Sequence, residues 1–238
     1  MRVVIVSNTT WYIYNFRLNF IKELISIGSE VYIVSPYDKY VDKLLILGVK
    51  HKNIKLSRFK KNFFKDFNFT FRLFFLNLII KPNIIHNFTI KPVIYGSIAC
   101  WLLPKIKVIN SIPGLGILFL NNKKNRFNNF FIKKLYKIAI LQRYKTIFQN
   151  SDDMKFFIKN KILKKEQCFL IKGSGVDLNR FNRKFIKKDS KHIYFGIMAR
   201  MLWSKGVKEF TESAKIVFKK NPKTRFIILG SPDLGGPD

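Results

Sequence analysis

Two cations and a glycine stand where a strand-like run gives way to a helical pattern near the end of the chain. Arg200 and Lys205 follow the apolar run His192 to Met198. Gly206 precedes a helix that the apolar spacing predicts from about Val207 to Lys219. Ligands of open α/β sheets bind at the carboxyl ends of strands, where the next helix adds its positive N-terminal end. A cation pair and approachable backbone N–H groups suit a diphosphate, although the same spacing fits a solvated loop in a lysine-rich protein.

Two glycine pairs follow other strand-like runs. They are Gly114 and Gly116 in INSIPGLGILF, and Gly173 and Gly175 in IKGSGVDLNRF. Glycine permits a positive φ and lets a ligand approach the backbone closely. Each pair therefore fits a ligand-facing loop, and each also fits a plain turn.

The histidines and cysteines exclude several kinds of active site. His51, His86 and His192 have no metal-ligand spacing, and no Ser-His-Asp or Cys-His arrangement follows from the sequence. The chain contains no G-x-x-x-x-G-K-[ST] phosphate loop. Cys100 and Cys168 form no C-x-x-C pair, which predicts a reducing compartment rather than a disulfide framework.

The hydrophobic pattern predicts a folded cytoplasmic protein without a membrane span. Of the 238 residues, 47% are hydrophobic and 16% aromatic, which excludes an intrinsically disordered chain. The N-terminal segment MRVVIVSNTTWYIYNF predicts a strand and then a helix, and it lacks the features of a signal peptide. The longest uncharged apolar run near the middle, Pro92 to Pro104, has 13 residues and is too short to cross a bilayer.

The net charge of +31 comes from 45 basic and 14 acidic residues and is concentrated in two regions. Residues 50–82 carry nine basic residues against one acidic, and residues 120–189 carry 19 against five. Nucleic acid, anionic lipid and phosphorylated substrates are all attracted to such surfaces, but 35 of the cations are lysines, so a biased composition explains the charge as well. Nucleic acid is not expected as a partner, because no recognised binding motif is present and the aromatic residues follow core periodicity.

Strand-like and helical segments alternate along the chain. The predicted strands are Arg2 to Ser7, Glu30 to Ser35, Ile84 to Asn87, Lys107 to Ser111, Thr146 to Gln149, Cys168 to Ile171, His192 to Met198 and Thr224 to Leu229. Nearly all-apolar strands separated by helices predict an α/β fold with a parallel sheet covered on both faces, as in Rossmann-like domains. The predicted organisation is one complete domain at 1–181, a linker at 182–191, and the first βαβ unit of a second Rossmann-like domain at 192–238.

The segment Phe63 to Ile80 is a predicted helix with two apolar stripes. The wider stripe contains Phe63, Phe64, Phe67, Phe71, Phe74, Phe75 and Leu78, and the narrower one contains Phe69, Leu73, Leu76 and Ile80. We expect the wider stripe to pack on the sheet. The narrower stripe, with Phe69 and Leu73, then either meets a neighbouring helix or lies in a membrane interface, flanked by Lys60, Lys61, Lys65 and Arg72.

Six motifs, in their order, resemble the family 4 glycosyltransferases of the GT-B fold. Within that family they are most similar to bacterial N-acetylgalactosaminyltransferases acting on undecaprenyl-diphosphate-linked sugars, among the enzymes that build lipid-linked oligosaccharides, O-antigens and capsules. The stretches are HNFTIKPVIYGS (His86 to Ser97), INSIPGLGILF (Ile109 to Phe119), FQNSDDMKFF (Phe148 to Phe157), IKGSGVDLNRF (Ile171 to Phe181), MARMLWSKGVKEFTESA (Met198 to Ala214) and FIILGSPD (Phe226 to Asp233).

The resemblance implies two Rossmann-like domains with the active site in the cleft between them. It implies retaining transfer of a sugar from a UDP-sugar to an undecaprenyl-diphosphate-linked saccharide at the inner face of the membrane, without a metal ion or other cofactor. Arg200 and Lys205 match the family's Arg and Lys that hold the donor diphosphate, with Gly206 beside them. These cations are expected to stabilise the charge that develops on the departing diphosphate.

Other positions of the N-terminal domain follow from the same resemblance. Gly114 and Gly116 match the glycine loop that faces the cleft. The candidates for contacts with the acceptor or the cleft are Lys91, Asn110, Gly173 and Gly175.

The sequence departs from the family pattern in two ways. Many family members carry a histidine near the sugar, whereas Pro113 precedes the glycine loop here, so that role is unassigned. The resemblance places the family's paired glutamates, seven residues apart, well beyond residue 238. We therefore expect a C-terminally truncated form with little or no transferase activity. The alternative is a non-catalytic basic protein that binds a membrane surface or a partner.

Overall fold

The computed structural model describes residues 1–56, 63–115, 126–181 and 191–230, which divide into two compact units. The first unit is Met1–Asp177 and the second is Leu178–Asp238. The division lies close to the predicted end of the first domain at residue 181. The predicted linker lies outside the described residues except for Lys191.

The first unit is built on a seven-stranded parallel sheet. Its strands are β1 (Arg2–Val6), β2 (Glu30–Ser35), β3 (Lys50–Asn53), β4 (Ile84–Phe88), β5 (Lys107–Ile112), β6 (Lys145–Phe148) and β7 (Cys168–Leu170). The strand order is β3-β2-β1-β4-β5-β6-β7, so the direction of winding reverses between β1 and β4. This is the doubly wound order of Rossmann-like domains, and it confirms the predicted fold class.

Helices cover both faces of this sheet. They are α1 (Thr10–Ser26), α2 (Val41–Leu45), α3 (Phe63–Ile80), α4 (Arg126–Ala139) and α5 (Ser151–Lys159), and a π-helical turn (Pro92–Gly96) follows β4. Alternate residues of β1 enter opposite cores: Val3 and Ile5 pack with α1, and Val4 and Val6 belong to the core that contains Phe69 of α3. Because both faces are buried, the central strands are apolar at nearly every position.

One strand of the sheet has no apolar signature. The edge strand β3 reads KHKN and pairs only with β2, in parallel register from Tyr32↔Lys50 to Ser35↔Asn53. Three of its four residues are exposed, since an edge strand needs backbone pairing on one side but little side-chain burial. Apolar runs therefore do not reveal it.

Helix α3 buries its narrower apolar stripe, whereas the sequence predicted that the wider stripe packs on the sheet. Phe69 and Leu73, the membrane-surface candidates, are 1% and 0% exposed and lie in the core. Phe64 and Phe67 of the wider stripe are 90% and 72% exposed. The expectation that Phe69 and Leu73 contact a membrane is therefore wrong.

Two buried polar residues explain why the number of apolar residues predicted the wrong buried face of α3. Asp66 and Asn77 lie on the same side as Phe69, Leu73 and Ile80, with spacings of three and four residues, and both are buried. Asp66 is satisfied there because Lys91, 25 residues away in the chain, donates to both of its carboxylate oxygens at 2.9 Å. A buried ion pair with a distant residue is invisible to a helical wheel.

The second unit contains one described βαβ motif. Strands β8 (Ile193–Met198) and β9 (Thr224–Leu229) are parallel, and α6 (Val207–Lys220) lies between them in the chain. This motif was predicted with nearly the same bounds. Across residues 191–230 only Leu202 and Thr224 are buried, so apolar side chains of both strands remain exposed.

Candidate functional site

The loop between β8 and α6 is held in place by backbone hydrogen bonds and one buried side chain. The Ala199 N–H donates to the carbonyl of Leu229 at 3.1 Å, which continues the β8–β9 pairing past Met198. The Leu202 N–H then donates to the carbonyl of Arg200 at 2.8 Å, and the Leu202 side chain is 2% exposed. This anchor fixes the course of the loop, with Arg200 and Lys205 exposed on either side of it.

Gly206 ends a 3-10 turn, Trp203–Lys205, and directly precedes α6. Its φ of +75° lies in the left-handed region, which glycine adopts without a steric penalty. As the N-cap residue it offers no side-chain acceptor to the N–H groups of the first turn. An anion at this turn would meet the N–H groups and the positive end of the helix dipole, with the carboxylate of Glu209 also in the first turn.

The loop is an open ledge rather than a cavity. A groove of about 370 Å³ runs alongside it and is lined by Met201, Leu202, Trp203, Val207, Lys208 and Thr211. Neither Arg200 nor Lys205 lines this groove. Arg200 and Lys205 are exposed to solvent in the part of the chain that the structure describes.

The sheet of the first unit presents its candidates at the carboxyl ends of its strands. Gly114 follows β5, and its neighbour Leu115 donates its N–H to Oδ2 of Asp153 at 3.2 Å. Asp153 is itself held at the start of α5, because its N–H donates to Oδ1 of Asn150 at 2.7 Å. Gly114 has open space around it, so neither crowding nor a positive φ demands glycine there. Gly116 lies outside the described residues.

The second glycine loop holds two glycines in the left-handed conformation. Gly173 and Gly175 both have φ of +73°, and nothing lies within 4 Å of the position that a Cβ would take. Between them, Ser174 accepts a hydrogen bond from the Gln149 side chain at 3.0 Å, which ties the loop to the end of β6. Its glycines are explained by backbone conformation rather than by close approach of another group.

Asn110 supports the sheet from inside the core. Its Oδ1 accepts hydrogen bonds from Asn87 Nδ2 at 3.0 Å and from Ser97 Oγ at 3.2 Å, and it is fully buried. Gly96 makes this packing feasible, since a Cβ there would stand 2.3 Å from Oδ1 of Asn87. In this structure Asn110 reaches no solvent.

Lys91 is engaged in the ion pair with Asp66. Its side chain is 16% exposed and that of Asp66 is 4% exposed. Burial, the charge of Asp66 and a hydrogen bond to Asp66 together raise the pKa of nearby Tyr95 to about 12. The lysine therefore joins the turn after β4 to α3. Lys60 and Lys61 lie outside the described residues, and Arg72 is exposed on α3.

Thr89 was not anticipated from the sequence. It follows β4 with φ of +72°, a left-handed conformation that is rare for a β-branched residue. Its Oγ1 is buried and, within the described residues, has no hydrogen-bond partner. Strained backbone with an unsatisfied hydroxyl is a feature of binding sites, and here it lies in the first matching motif, HNFTIKPVIYGS.

His86 does not supply the histidine that the family pattern lacks at Pro113. It lies in β4, stacks on Phe88 with ring centroids 4.1 Å apart, and shares a hydrogen bond of 2.8 Å with Ser111 Oγ. Burial and, to a smaller extent, the charge of Arg17 lower the pKa of His86 to about 3. The ring is therefore neutral near pH 7 and shielded from any substrate.

Acid is expected to destabilise the first unit through His86. The unfolded chain binds a proton near pH 6.5 but the folded protein does so only near pH 3, so the free energy of unfolding falls as pH drops through that interval. Urea unfolding at pH 7 and pH 5 measures this loss. The variant His86→Asn should be less stable at pH 7 but show a smaller difference between the two pH values. His192→Gln is the control, because His192 belongs to the second unit, and it should keep the pH dependence of the wild type. Equal pH dependence in His86→Asn and the wild type would contradict the prediction.

The described residues show neither a metal-binding cluster nor a membrane-spanning helix. Within the described ranges, no group of three His, Cys, Asp or Glu side chains is arranged to hold a metal ion. No described helix combines the length and hydropathy that crossing a bilayer requires.

Among curated proteins, the chain is similar to a glycosyltransferase of Campylobacter jejuni. The chain is 29% identical to the N,N'-diacetylbacillosaminyl-diphospho-undecaprenol alpha-1,3-N-acetylgalactosaminyltransferase of Campylobacter jejuni, over 98% of this chain and 64% of the relative. The chain thus spans just under two thirds of the length of that relative.

Solved structures share the fold. A glycosyltransferase from Rickettsia africae superposes with a TM-score of 0.67 at 15% identity, over 98% of this chain and 68% of the other. Anabaena Alr3699/HepE, solved with UDP and glucose, gives a TM-score of 0.68 at 13% identity, over 99% and 62%. At these identities the likeness establishes the GT-B-type architecture alone.

A family model described as glycosyl transferase 4-like matches residues 2–151, which is more than half of the chain. This match includes β1 to β6 and the loop that carries Gly114. The chain is therefore a member of the glycosyl transferase 4-like family.

Proposed function

We propose that this protein transfers a sugar, an N-acetylhexosamine or a hexose, from a UDP-sugar to a saccharide carried on undecaprenyl diphosphate, with retention of configuration and without a metal ion. The observation that carries the proposal is the β8–α6 loop, where Arg200 and Lys205 flank the uncapped start of α6. The Campylobacter relative is named for an acceptor of this class, and the Anabaena structure contains UDP.

The reaction asks these residues to bind and stabilise an anion. The bond between sugar C1 and the diphosphate oxygen breaks with its electron pair on UDP, while the acceptor hydroxyl bonds to C1 and gives its proton to the departing diphosphate. Negative charge grows on the diphosphate as that bond breaks. Two fixed cations and the N–H groups of α6 interact more strongly with that charge than with the ground state, which lowers the barrier.

The acceptor is proposed to bind at the carboxyl ends of the strands in the first unit. Candidates there are the loop at Gly114, the turn of Gly173 and Gly175, and the strained Thr89. An acceptor carried on a polyprenyl chain also keeps the enzyme at a membrane. We therefore propose a peripheral location at the inner face of the cytoplasmic membrane.

Binding of UDP to the 238-residue chain tests the donor half of the proposal. Titration with UDP, followed by NMR or calorimetry, should show saturable binding that uridine, which lacks the diphosphate, does not reproduce. Magnesium chelation should leave binding unchanged. Absence of saturable UDP binding, or equal binding of uridine, would overturn the proposal.

We expect transfer by these 238 residues to be weak or undetectable, because the family resemblance places the paired glutamates outside them. Labelled UDP-GalNAc, UDP-GlcNAc and UDP-Gal, offered with a diphosphate-linked saccharide acceptor, test this expectation. Detectable transfer would contradict it while supporting the assignment as a glycosyltransferase.

A further inference from the structure

One side of α3 carries a continuous row of exposed apolar side chains. The row, called here the α3 strip, consists of Phe64, Phe67, Phe71, Phe75, Leu78 and Ile79. Most successive members are three or four residues apart, so they lie along one side of the helix. Because Phe64 and Ile79 are 15 residues apart on the helix, the strip runs for about 22 Å. A patch of this length on a water-facing helix marks an interaction surface.

Cations border the α3 strip along one flank. Lys65 and Arg72 are exposed and seven residues apart, which places them on the same side of the helix. The only carboxylate of α3, Asp66, is buried against Lys91, so the described outer surface of the helix carries positive charge without negative charge.

A groove continues this surface towards the edge of the sheet. It has a volume of about 360 Å³ and separates α3 from the edge strand β3. Phe71, Phe75 and Ile79 form its apolar wall, and Lys52 and Arg72 also line it. The groove therefore combines a surface suited to a hydrocarbon chain with two cations suited to a phosphate.

The described surface of α3 combines apolar side chains with positive charge. This combination distinguishes between two possible occupants, a second copy of the chain and an anionic bilayer. A second copy, docked about a two-fold axis, presents the same patch to itself, which brings like cations together without an opposing carboxylate. An anionic bilayer satisfies both halves of the patch, because its acyl boundary accepts aromatic rings and its headgroups attract cations.

We propose that the α3 strip inserts into the interface of an anionic lipid bilayer, with Lys52, Lys65 and Arg72 on the headgroup phosphates. The helix then lies in the plane of the membrane. The proposal rests on the proposed function only for the presence of a lipid-linked acceptor, and it names the surface that brings the enzyme to that acceptor.

Co-sedimentation with vesicles tests the apolar part of the surface. The 238-residue chain is mixed with vesicles of phosphatidylcholine and phosphatidylglycerol, and with vesicles of phosphatidylcholine alone. The double variant Phe67→Ser/Phe71→Ser should bind the anionic vesicles about tenfold more weakly than the wild type. Ile46→Ser/Leu102→Ser is the matched control, because these side chains are also exposed but lie off α3, and it should bind as the wild type does.

The charged flank is tested in the same assay. Lys65→Gln and Arg72→Gln should each weaken binding to the anionic vesicles by about fivefold at low salt. Lys105→Gln, an exposed cation away from α3, should have a smaller effect. Circular dichroism establishes that every variant is folded.

Three outcomes would overturn the proposal. In the first, the wild type fails to pellet with anionic vesicles at low salt. In the second, Phe67→Ser/Phe71→Ser pellets as well as the wild type does. In the third, light scattering shows a dimer that this variant abolishes while its vesicle binding is unchanged, which would make a second copy the occupant.

A UDP titration separates this proposal from the transferase proposal. In solution without vesicles, Phe67→Ser/Phe71→Ser should bind UDP as the wild type does, because α3 and the β8–α6 loop belong to different units. Vesicle binding without UDP binding would leave the α3 surface standing and overturn the transferase proposal. UDP binding without vesicle binding would overturn the proposal for the α3 strip and leave the transferase proposal standing.

Discussion

Replacing Arg200 or Lys205 with alanine is expected to weaken UDP binding by about tenfold to a hundredfold, because each change removes a charge-assisted hydrogen bond to the diphosphate. Both side chains are exposed on a loop whose course is fixed by backbone hydrogen bonds and by Leu202. The substitutions should therefore leave the fold unchanged. Calorimetric titration of each variant with UDP measures the effect.

Two further variants sharpen this experiment. Arg200→Lys keeps the charge but loses the planar fork, and we expect it to recover only part of the affinity. Lys215→Ala removes an exposed cation from α6, away from its first turn, and should bind UDP as the wild type does. Equal losses in Lys215→Ala and Lys205→Ala would show that general positive charge, and not this loop, attracts the nucleotide.

Replacing Asp66 with alanine is expected to destabilise the first unit by about 3 kcal/mol, because it leaves the charge of Lys91 mostly buried without its partner. In the wild type the ammonium donates to both carboxylate oxygens at 2.9 Å, and the pair joins α3 to the turn after β4. Urea unfolding followed by tryptophan fluorescence, in a Trp203→Phe background, reports on this unit, since Trp11 and Trp101 both belong to it and Trp203 belongs to the second unit.

The double variant Asp66→Asn/Lys91→Met is the decisive control. It removes both charges at similar volume, and we expect it to recover most of the stability lost in Asp66→Ala. A double variant as unstable as Asp66→Ala would show that packing around the pair, rather than the unpaired charge, sets the cost. If the double variant also loses binding of a diphosphate-linked acceptor while remaining folded, the prediction that Lys91 contacts the acceptor is supported.

The reversal of α3 also changes how the basic charge of the chain is interpreted. With Phe69 and Leu73 inside, the cations of this region flank phenylalanine side chains that point to solvent. Charge and exposed aromatic surface therefore coincide on one helix. A general compositional bias explains the number of lysines but not this coincidence.

The fold class follows from the sequence because a buried parallel strand leaves a direct mark on it. Residues such as Val3 to Val6 and Val31 to Val34 are apolar almost without interruption, since both faces of the sheet are covered. The alternation of such runs with helices then leaves few topologies. The β8–α6 loop was predictable for a similar reason, because Arg200, Lys205 and Gly206 are close in the chain and need no distant partner to be brought together.

The remaining features depend on contacts between residues that are far apart in sequence. The periodicity of α3 shows two apolar stripes, but the sheet and Lys91 decide which one is buried. Asn110 is a plausible cleft residue in its motif, yet bonds from Asn87 and Ser97 hold it in the core. The strain at Thr89 likewise arises where β4 turns into the next segment. Local patterns in the amino-acid sequence predicted the strands other than β3 and the loop that carries Arg200, Lys205 and Gly206. Only the tertiary structure decided which side chains face solvent, because burial is a property of the assembled layers.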